Sequence, residues 1–161
     1  APRDFDDRLT RRGSRSWTMR GMGIATDARI SSSVAATRVD HANLDAYVAT
    51  GAAAWSAPLD PVQREAFARA LDHELVAFVA DGLGAGAILL REDYGYLVGA
   101  AVTESARGRG VYRALVAARL AFLRERAIEY AVTQARESTS APILEHLGFE
   151  TLFRGRCHVL D

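Results

Sequence analysis

Lysine is absent from this chain: all 20 of its basic residues are arginine. Beside the very high alanine content, that absence points to GC-rich coding and not to a functional demand for guanidinium groups. Cysteine is almost absent too. Cys157 stands alone, which excludes an internal disulfide and suits a reducing compartment. No run of about 18 apolar residues occurs and no charged-then-apolar leader is visible, so the expectation is a cytoplasmic protein without a membrane partner. Neither sign of charge is in excess: 20 acidic residues balance the 20 basic ones, so nothing global argues for nucleic acid, an anionic membrane or a polyanion. Cys157-His158, with His41, His73 and His146 scattered elsewhere, offers no metal-ligand spacing, and no metal is expected.

What is present is an ordinary globular composition in 161 residues, enough for one domain with its own core. From about Ser32 the pattern alternates between strand-like and helix-like segments. Val34 to Val39 reads as a strand. Asp40 is placed to cap a helix from His41 to about Trp55, and Asp60 to cap a second one, Pro61 to about Asp72, with proline at its first position. Glu74 to Ala80 is a strand, Asp81-Gly82-Leu83-Gly84 a turn and Gly86 to Arg91 the next strand. Glu92 to Gly95 makes a further turn before a strand from Tyr96 to Val102. A helix from Val111 to about Arg126 carries Val111, Ala114, Leu115, Ala118, Ala121 and Phe122 on one face. Glu129 to Gln134 is a strand, Thr139 to Leu147 a short helix stopped by Gly148, and Phe149 to Val159 a last strand. The Trp17, Met19 and Met22 cluster reads as a buried strand. This order specifies an α/β fold with a mixed sheet.

The stretch with most chemical content is Arg107-Gly108-Arg109-Gly110, between the strand ending at Val102 and the helix opening at Val111. Glycines let backbone N–H groups close around an anion, the helix N-terminus adds partial positive charge and the arginines add full charges. The arrangement is a phosphate cradle. Gly82-Leu83-Gly84-Ala85-Gly86 is superficially similar, but it joins two strands and does not open a helix, so it reads as a hairpin.

With Leu147-Gly148-Phe149 closing the distal helix, the chain from about Ser32 to Asp161 resembles the GNAT superfamily of acyl-CoA-dependent N-acyltransferases. The matching residues are Arg107, Gly110 and that Leu-Gly-Phe. The resemblance implies a central, mostly antiparallel sheet splayed between the fourth and fifth strands, with helices on both faces. It implies acetyl-CoA or another acyl-CoA as co-substrate. Backbone groups of Ala101, Val102 and Thr103 would meet the pantetheine arm, and amides of Arg107, Gly108, Arg109, Gly110, Val111 and Tyr112 would hold the pyrophosphate. The N–H of Val102 would stabilise the oxyanion. Three positions depart from the family's pattern. Tyr112 stands where glycine or alanine is usual, Leu144 where a tyrosine commonly protonates the departing thiolate, and Glu137 where an asparagine often touches the cofactor.

For the base, the candidates are Tyr96, expected by alternation to share a face with Val98, Ala100 and Val102, and Glu104, just past the strand. Each also has an ordinary structural reading, as a wall aromatic and a solvated loop residue. The leading expectation is transfer of an acetyl or short acyl group to a primary amine on a small molecule or peptide. The alternatives are an acyl-CoA-binding regulatory domain without chemistry and a structural half that binds nothing. The acyltransferase domain is expected over residues 32–161, with 1–31 an appendage. Leu9 to Gly13 followed by Ser14 to Arg20 echoes Leu144 to Gly148 followed by Phe149 to Arg154. Chance similarity is one reading of that weak repeat; the other is that residues 1–22 are the tail of a similar upstream half, so that pairing with such a half, or a homodimer, stands as a candidate assembly.

Overall fold

The computed structural model describes residues 4–58 and 60–160; the ends of the two expected segments, 1–3 and 161, lie outside the described residues, as does 59. In chain order the elements are α1 (Phe5–Arg11), β1 (Arg15–Ala25), β2 (Thr37–Arg38), α2 (Leu44–Trp55), α3 (Pro61–Leu71), β3 (Leu75–Ala80), β4 (Gly84–Leu90) and β5 (Tyr94–Val102). A 3-10 turn (Glu104–Ala106), α4 (Val111–Glu125), β6 (Tyr130–Arg136), α5 (Ser140–His146) and β7 (Glu150–Val159) complete the order. The chain divides into a larger unit, Ile24–Thr133, and a smaller one made of Ala1–Gly23 and Gln134–Asp161.

In the larger unit β2, β3, β4 and β5 pair antiparallel in sequence, and β5 pairs parallel with the start of β6. The β3–β4 connection is the hairpin expected from sequence. Asp81 and Gly82 both have positive φ and Leu83 N–H closes onto Ala80 O at 2.8 Å, the form whose twist matches the strands it joins. Ala85 and Ala87 of β4 face α2, where Leu44, Tyr47, Val48, Leu75 and Ala77 form one core. The other face of the sheet meets α4. A Cβ on Gly84 would lie 2.6 Å from Val111, and one on Gly95 2.4 Å from Leu123, so glycine lets the helix backbone approach the sheet. Helices therefore cover both faces.

Several boundaries move from the sequence expectation. The first strand shrinks to Thr37–Arg38, and α2 starts at Leu44 behind Asn43. Asp40 caps a turn instead, its carboxylate accepting from the N–H groups of Ala42 and Asn43 while Asn43 accepts from Asp40 N–H. Short polar side chains compete with the helix for these amides. Asp60 does cap α3, accepting from Val62 N–H at 2.9 Å. β5 begins at Tyr94, two residues earlier than expected, leaving Glu92 and Asp93 as the turn.

In the smaller unit β1 and β7 pair antiparallel from Arg15↔Val159 to Gly23↔Glu150, with a slip after Gly21. Met19 and Met22 are buried, as the strand reading requires, and Trp17 lies under the Arg136 guanidinium. The two short helices end alike. Gly13 N–H and Ser14 N–H return to Thr10 O and Leu9 O, and Gly148 N–H and Phe149 N–H return to Glu145 O and Leu144 O. Both glycines sit in the left-handed region, at φ +80° and +95°.

Candidate acyl-donor site

The β5–α4 junction gathers most of the candidate residues, and its shape follows from two irregularities. The first is a bulge. Gly84↔Val102 and Ala85↔Ala101 pair in one register and Ala87↔Val98 in another, so Gly99 and Ala100 together oppose Gly86. Gly99 takes φ +59°, which only glycine adopts at little cost. The second is the end of parallel pairing. β6 pairs with β5 only over Tyr94↔Tyr130 to Leu97↔Thr133, so the outer edge of Val98 to Val102 is not paired by β6.

These two features sort the backbone groups. Thr103 N–H donates to Leu83 O at 2.8 Å, so by antiparallel alternation Ala101 also directs its amide at β4. Val102, between them, presents its N–H to the open edge. The Thr103 hydroxyl is buried and lacks a hydrogen-bond partner. An orphaned buried hydroxyl beside an open strand edge fits a ligand with polar groups.

The bulge also corrects the expected face of Tyr96. Ala85 and Ala87 share a face, and their partners are Ala101 and Val98, so Tyr96 lies with Val98 and Ala101 on the α2 side. Ala100 and Val102 belong to the α4 side, since the extra residue at Gly99 inverts the alternation. Tyr96 is half-buried and Glu104 exposed in the 3-10 turn. They lie at opposite ends of β5, roughly 20 Å apart along the chain between Tyr96 and Val102 alone, so no shared catalytic pair forms.

Beyond Glu104 the loop uses some of its own amides. Arg107 N–H donates to Glu104 O at 3.2 Å and Arg109 N–H to Ala106 O at 3.3 Å. Gly108 and Gly110 take φ +74° and +82°, and nothing lies within 4 Å of where a Cβ on Gly108 would be. α4 has no side-chain cap, and Ala114 N–H to Gly110 O is its first internal bond. The amides of Gly108, Gly110, Val111 and Tyr112 are thus left without a described partner, at the positive end of a 15-residue helix. The Arg107 and Arg109 side chains are exposed, with no ion pair among the described residues. The loop leaves fewer of its own amides free than the sequence suggested.

The remaining departures resolve as follows. Leu144 is 1% exposed, a core side chain with no proton to give. Glu137 is held by Arg20, whose Nε donates to Oε1 at 2.8 Å, with Arg154 at 3.7 Å; the Arg20 hydrogen bond lowers its pKa. Tyr112 is half-buried, and burial raises its pKa. Sequence reasoning missed Arg119 and the bulge at Gly99. An arginine on the apolar face of a helix and a glycine inside a strand were the available signals. Among the described residues no group of His, Cys, Asp and Glu could hold a metal ion, and no helix is long and apolar enough to cross a membrane.

A family model for the acetyltransferase (GNAT) domain matches residues 43–157. No curated protein matches the sequence. Among solved structures the fold is similar to a conserved protein of unknown function from Staphylococcus epidermidis, at TM-score 0.70 and 14% identity over 98% of this chain and 66% of that one. It is similar to a GCN5-related N-acetyltransferase from Sphaerobacter thermophilus, at 0.68 and 18%, over 96% of this chain and 56% of that one. A third is the aminoglycoside N-acetyltransferase AAC(6')-Iy in complex with a coenzyme A bisubstrate analog, at 0.64 and 22%, over 78% of this chain and 100% of that one. The chain spans less than two thirds of the length of the first two. At these identities the likeness is one of fold.

Proposed function

The chain belongs to the GNAT acetyltransferase family, and from that premise we propose that it moves an acetyl or short acyl group from coenzyme A to a primary amine. The observation that carries the reading is the junction itself: an uncapped helix N-terminus with two left-handed glycines, next to a strand edge that β6 does not pair. The pyrophosphate sits on the amides of Gly108, Gly110, Val111 and Tyr112, with Arg107 and Arg109 adding charge. The pantetheine arm runs along the edge of Ala101 to Thr103, where the Thr103 hydroxyl receives a partner. The amide of Val102 faces the thioester carbonyl and donates to the oxygen that gains charge as the amine attacks.

An alkyl amine of pKa ~10.4 loses about 4.6 kcal/mol at pH 7 in giving up its proton, whereas protonating a thiolate of pKa ~8.5 is about a 2 kcal/mol matter. Deprotonation is the larger demand. Glu104, two residues past Val102, is assigned as the base, directly or through water. Tyr96, on the α2 side, is assigned to the wall of the acceptor channel, which α2 and α3 border. The coenzyme A complex of an aminoglycoside N-acetyltransferase with this fold supports a small-molecule amine as acceptor.

A second reading, a coenzyme A-binding domain without turnover, is favoured by Leu144 alone, since that side chain can donate no proton. Thermal shift with acetyl-CoA, followed by thiol release over a panel of amines, separates the two. Binding with turnover on one amine supports transfer, binding without turnover on any supports the second reading, and no binding removes both.

A further inference from the structure

Arg119 is the largest fully buried side chain of the molecule, 1% exposed. Taking a guanidinium out of water is costly, and an apolar side chain of similar volume often serves stability as well or better. Its place on the sheet-facing side of α4 therefore calls for a reason other than stability. Nε donates to Leu115 O, one turn back on the same helix, at 2.9 Å, and Nη1 donates to Ala87 O of β4 at 3.3 Å. The first bond fixes the side chain against α4 and the second fastens it to the sheet. Both acceptors are main-chain carbonyls, and no carboxylate pairs with it among the described residues.

Ala87 is where the β4–β5 register changes. From Leu90↔Gly95 to Ala87↔Val98 the two strands pair without a break. Continued past Ala87, that register would set Ala85 opposite Ala100 and Leu83 opposite Val102, and by alternation the Val102 N–H would donate to Leu83 O. The extra residue sets Ala101 opposite Ala85 instead and gives Leu83 O to the Thr103 N–H at 2.8 Å. The bulge is therefore what turns the Val102 amide from β4 to the open edge. Gly86 is the β4 residue that the bulge opposes, and a Cβ there would stand 3.5 Å from the Arg119 Cζ and 3.2 Å from the Ala100 Cβ. The guanidinium lies over the bulge, in space that Gly86 leaves free.

We propose that Arg119 is a positioning residue: braced between Leu115 O and Ala87 O, it holds the β4–β5 bulge in register and so keeps the Val102 N–H aimed at the thioester carbonyl. The proposal rests on the acyl-transfer reading above, in which that amide donates to the oxyanion. Register is weakly specified where strands lack large side chains, because nothing on either face marks which residues belong opposite each other. Gly84 to Ala87 and Gly99 to Ala101 are all glycine or alanine. A donor brought from α4 to Ala87 O, and fitted over Gly86, supplies the mark that these side chains lack. In the slipped register the Val102 N–H is spent on Leu83 O and the Thr103 N–H turns outward, so the two neighbouring amides exchange roles.

Hydrogen exchange of the unliganded protein reads those roles directly. In the wild type the Thr103 amide is expected to be protected and the Val102 amide to exchange freely. Arg119→Met is expected to fold, to lose about tenfold or more of the Thr103 protection and to gain protection at Val102. Arg119→Lys keeps a donor for Ala87 O and is expected to retain the wild-type pattern. Acetyl-CoA labelled at its carbonyl carbon gives a second reading by NMR. Bound to the wild type, its resonance should move downfield as the carbonyl accepts the Val102 N–H; in Arg119→Met it should return toward the free position with coenzyme A affinity unchanged. A folded Arg119→Met protein with wild-type protection at both amides overturns the proposal, as does a carbonyl resonance that keeps its wild-type position. An Arg119→Met chain that does not fold overturns it too, since stability would then account for the arginine. A wild type that binds no acetyl-CoA overturns the acyl-transfer reading instead, while exchange at Val102 and Thr103 still decides whether Arg119 holds the bulge.

Discussion

Gly110 bears most of the coenzyme A reading. Its φ of +82° is strained for any L side chain, and it opens α4. Gly110→Val is expected to cut acetyl-CoA affinity at least tenfold by calorimetry, the side chain both straining the loop and standing between amides and phosphate. Gly82→Val is the control: it imposes similar strain at φ +65° in the β3–β4 hairpin, with nothing within 4 Å, and should leave affinity unchanged. Thr103 makes the opposite kind of prediction. Its buried hydroxyl has no partner, so Thr103→Val should leave urea stability unchanged or raise it by about 1 kcal/mol, while acetyl-CoA affinity falls. Affinity equal to wild type would remove Thr103 from the site.

Among the elements, the contact of α4 with the sheet depends on glycines that carry no side chain. Gly95→Val would drive two methyl groups into Leu123, which already lies 2.4 Å from an ideal Cβ, and should cost about 1–3 kcal/mol in urea unfolding. In the smaller unit the ion pair of Arg20 with Glu137 makes stability depend on pH. The folded carboxyl titrates below its ordinary 4.5 because Arg20 donates to it. Its contribution is therefore full above that value and is lost as pH falls through the lowered one. Glu137→Gln should melt below wild type at pH 7, with the gap closing in thermal scans as pH drops below 4.5. A gap that persists into acid would mean the pair does not stabilise through charge.

For the molecule as a whole, equal numbers of acidic and basic residues leave no net charge to gather an anion, so on the proposed reading local charge, Arg107 and Arg109 included, supplies the attraction. Acetyl-CoA affinity should fall several-fold from 50 mM to 500 mM salt, and Arg107→Ala with Arg109→Ala should flatten that dependence. The glycine loop and the helix after it were legible in the sequence because glycine content and helix periodicity are local properties: Gly108, Gly110 and the long face of α4 announce themselves within a dozen residues. Asp60 and the Asp81-Gly82 turn were legible for the same reason. Asp40 was misread because its carboxylate could cap a turn as well as a helix, and the chain resolved that choice three residues later at Asn43. Tyr96 was rightly grouped with Val98 but wrongly with Ala100 and Val102, because alternation assumes an unbroken strand and one extra residue at Gly99 inverts it. The sequence by itself determined the element order, the family resemblance and the glycine loop before α4, all set by short-range stereochemistry and hydrophobic period. Only the tertiary structure decided which strand amides remain open, that Leu144 is core, and that Arg119 is buried on backbone carbonyls without a carboxylate among the described residues, because those depend on what distant segments bring to the same place.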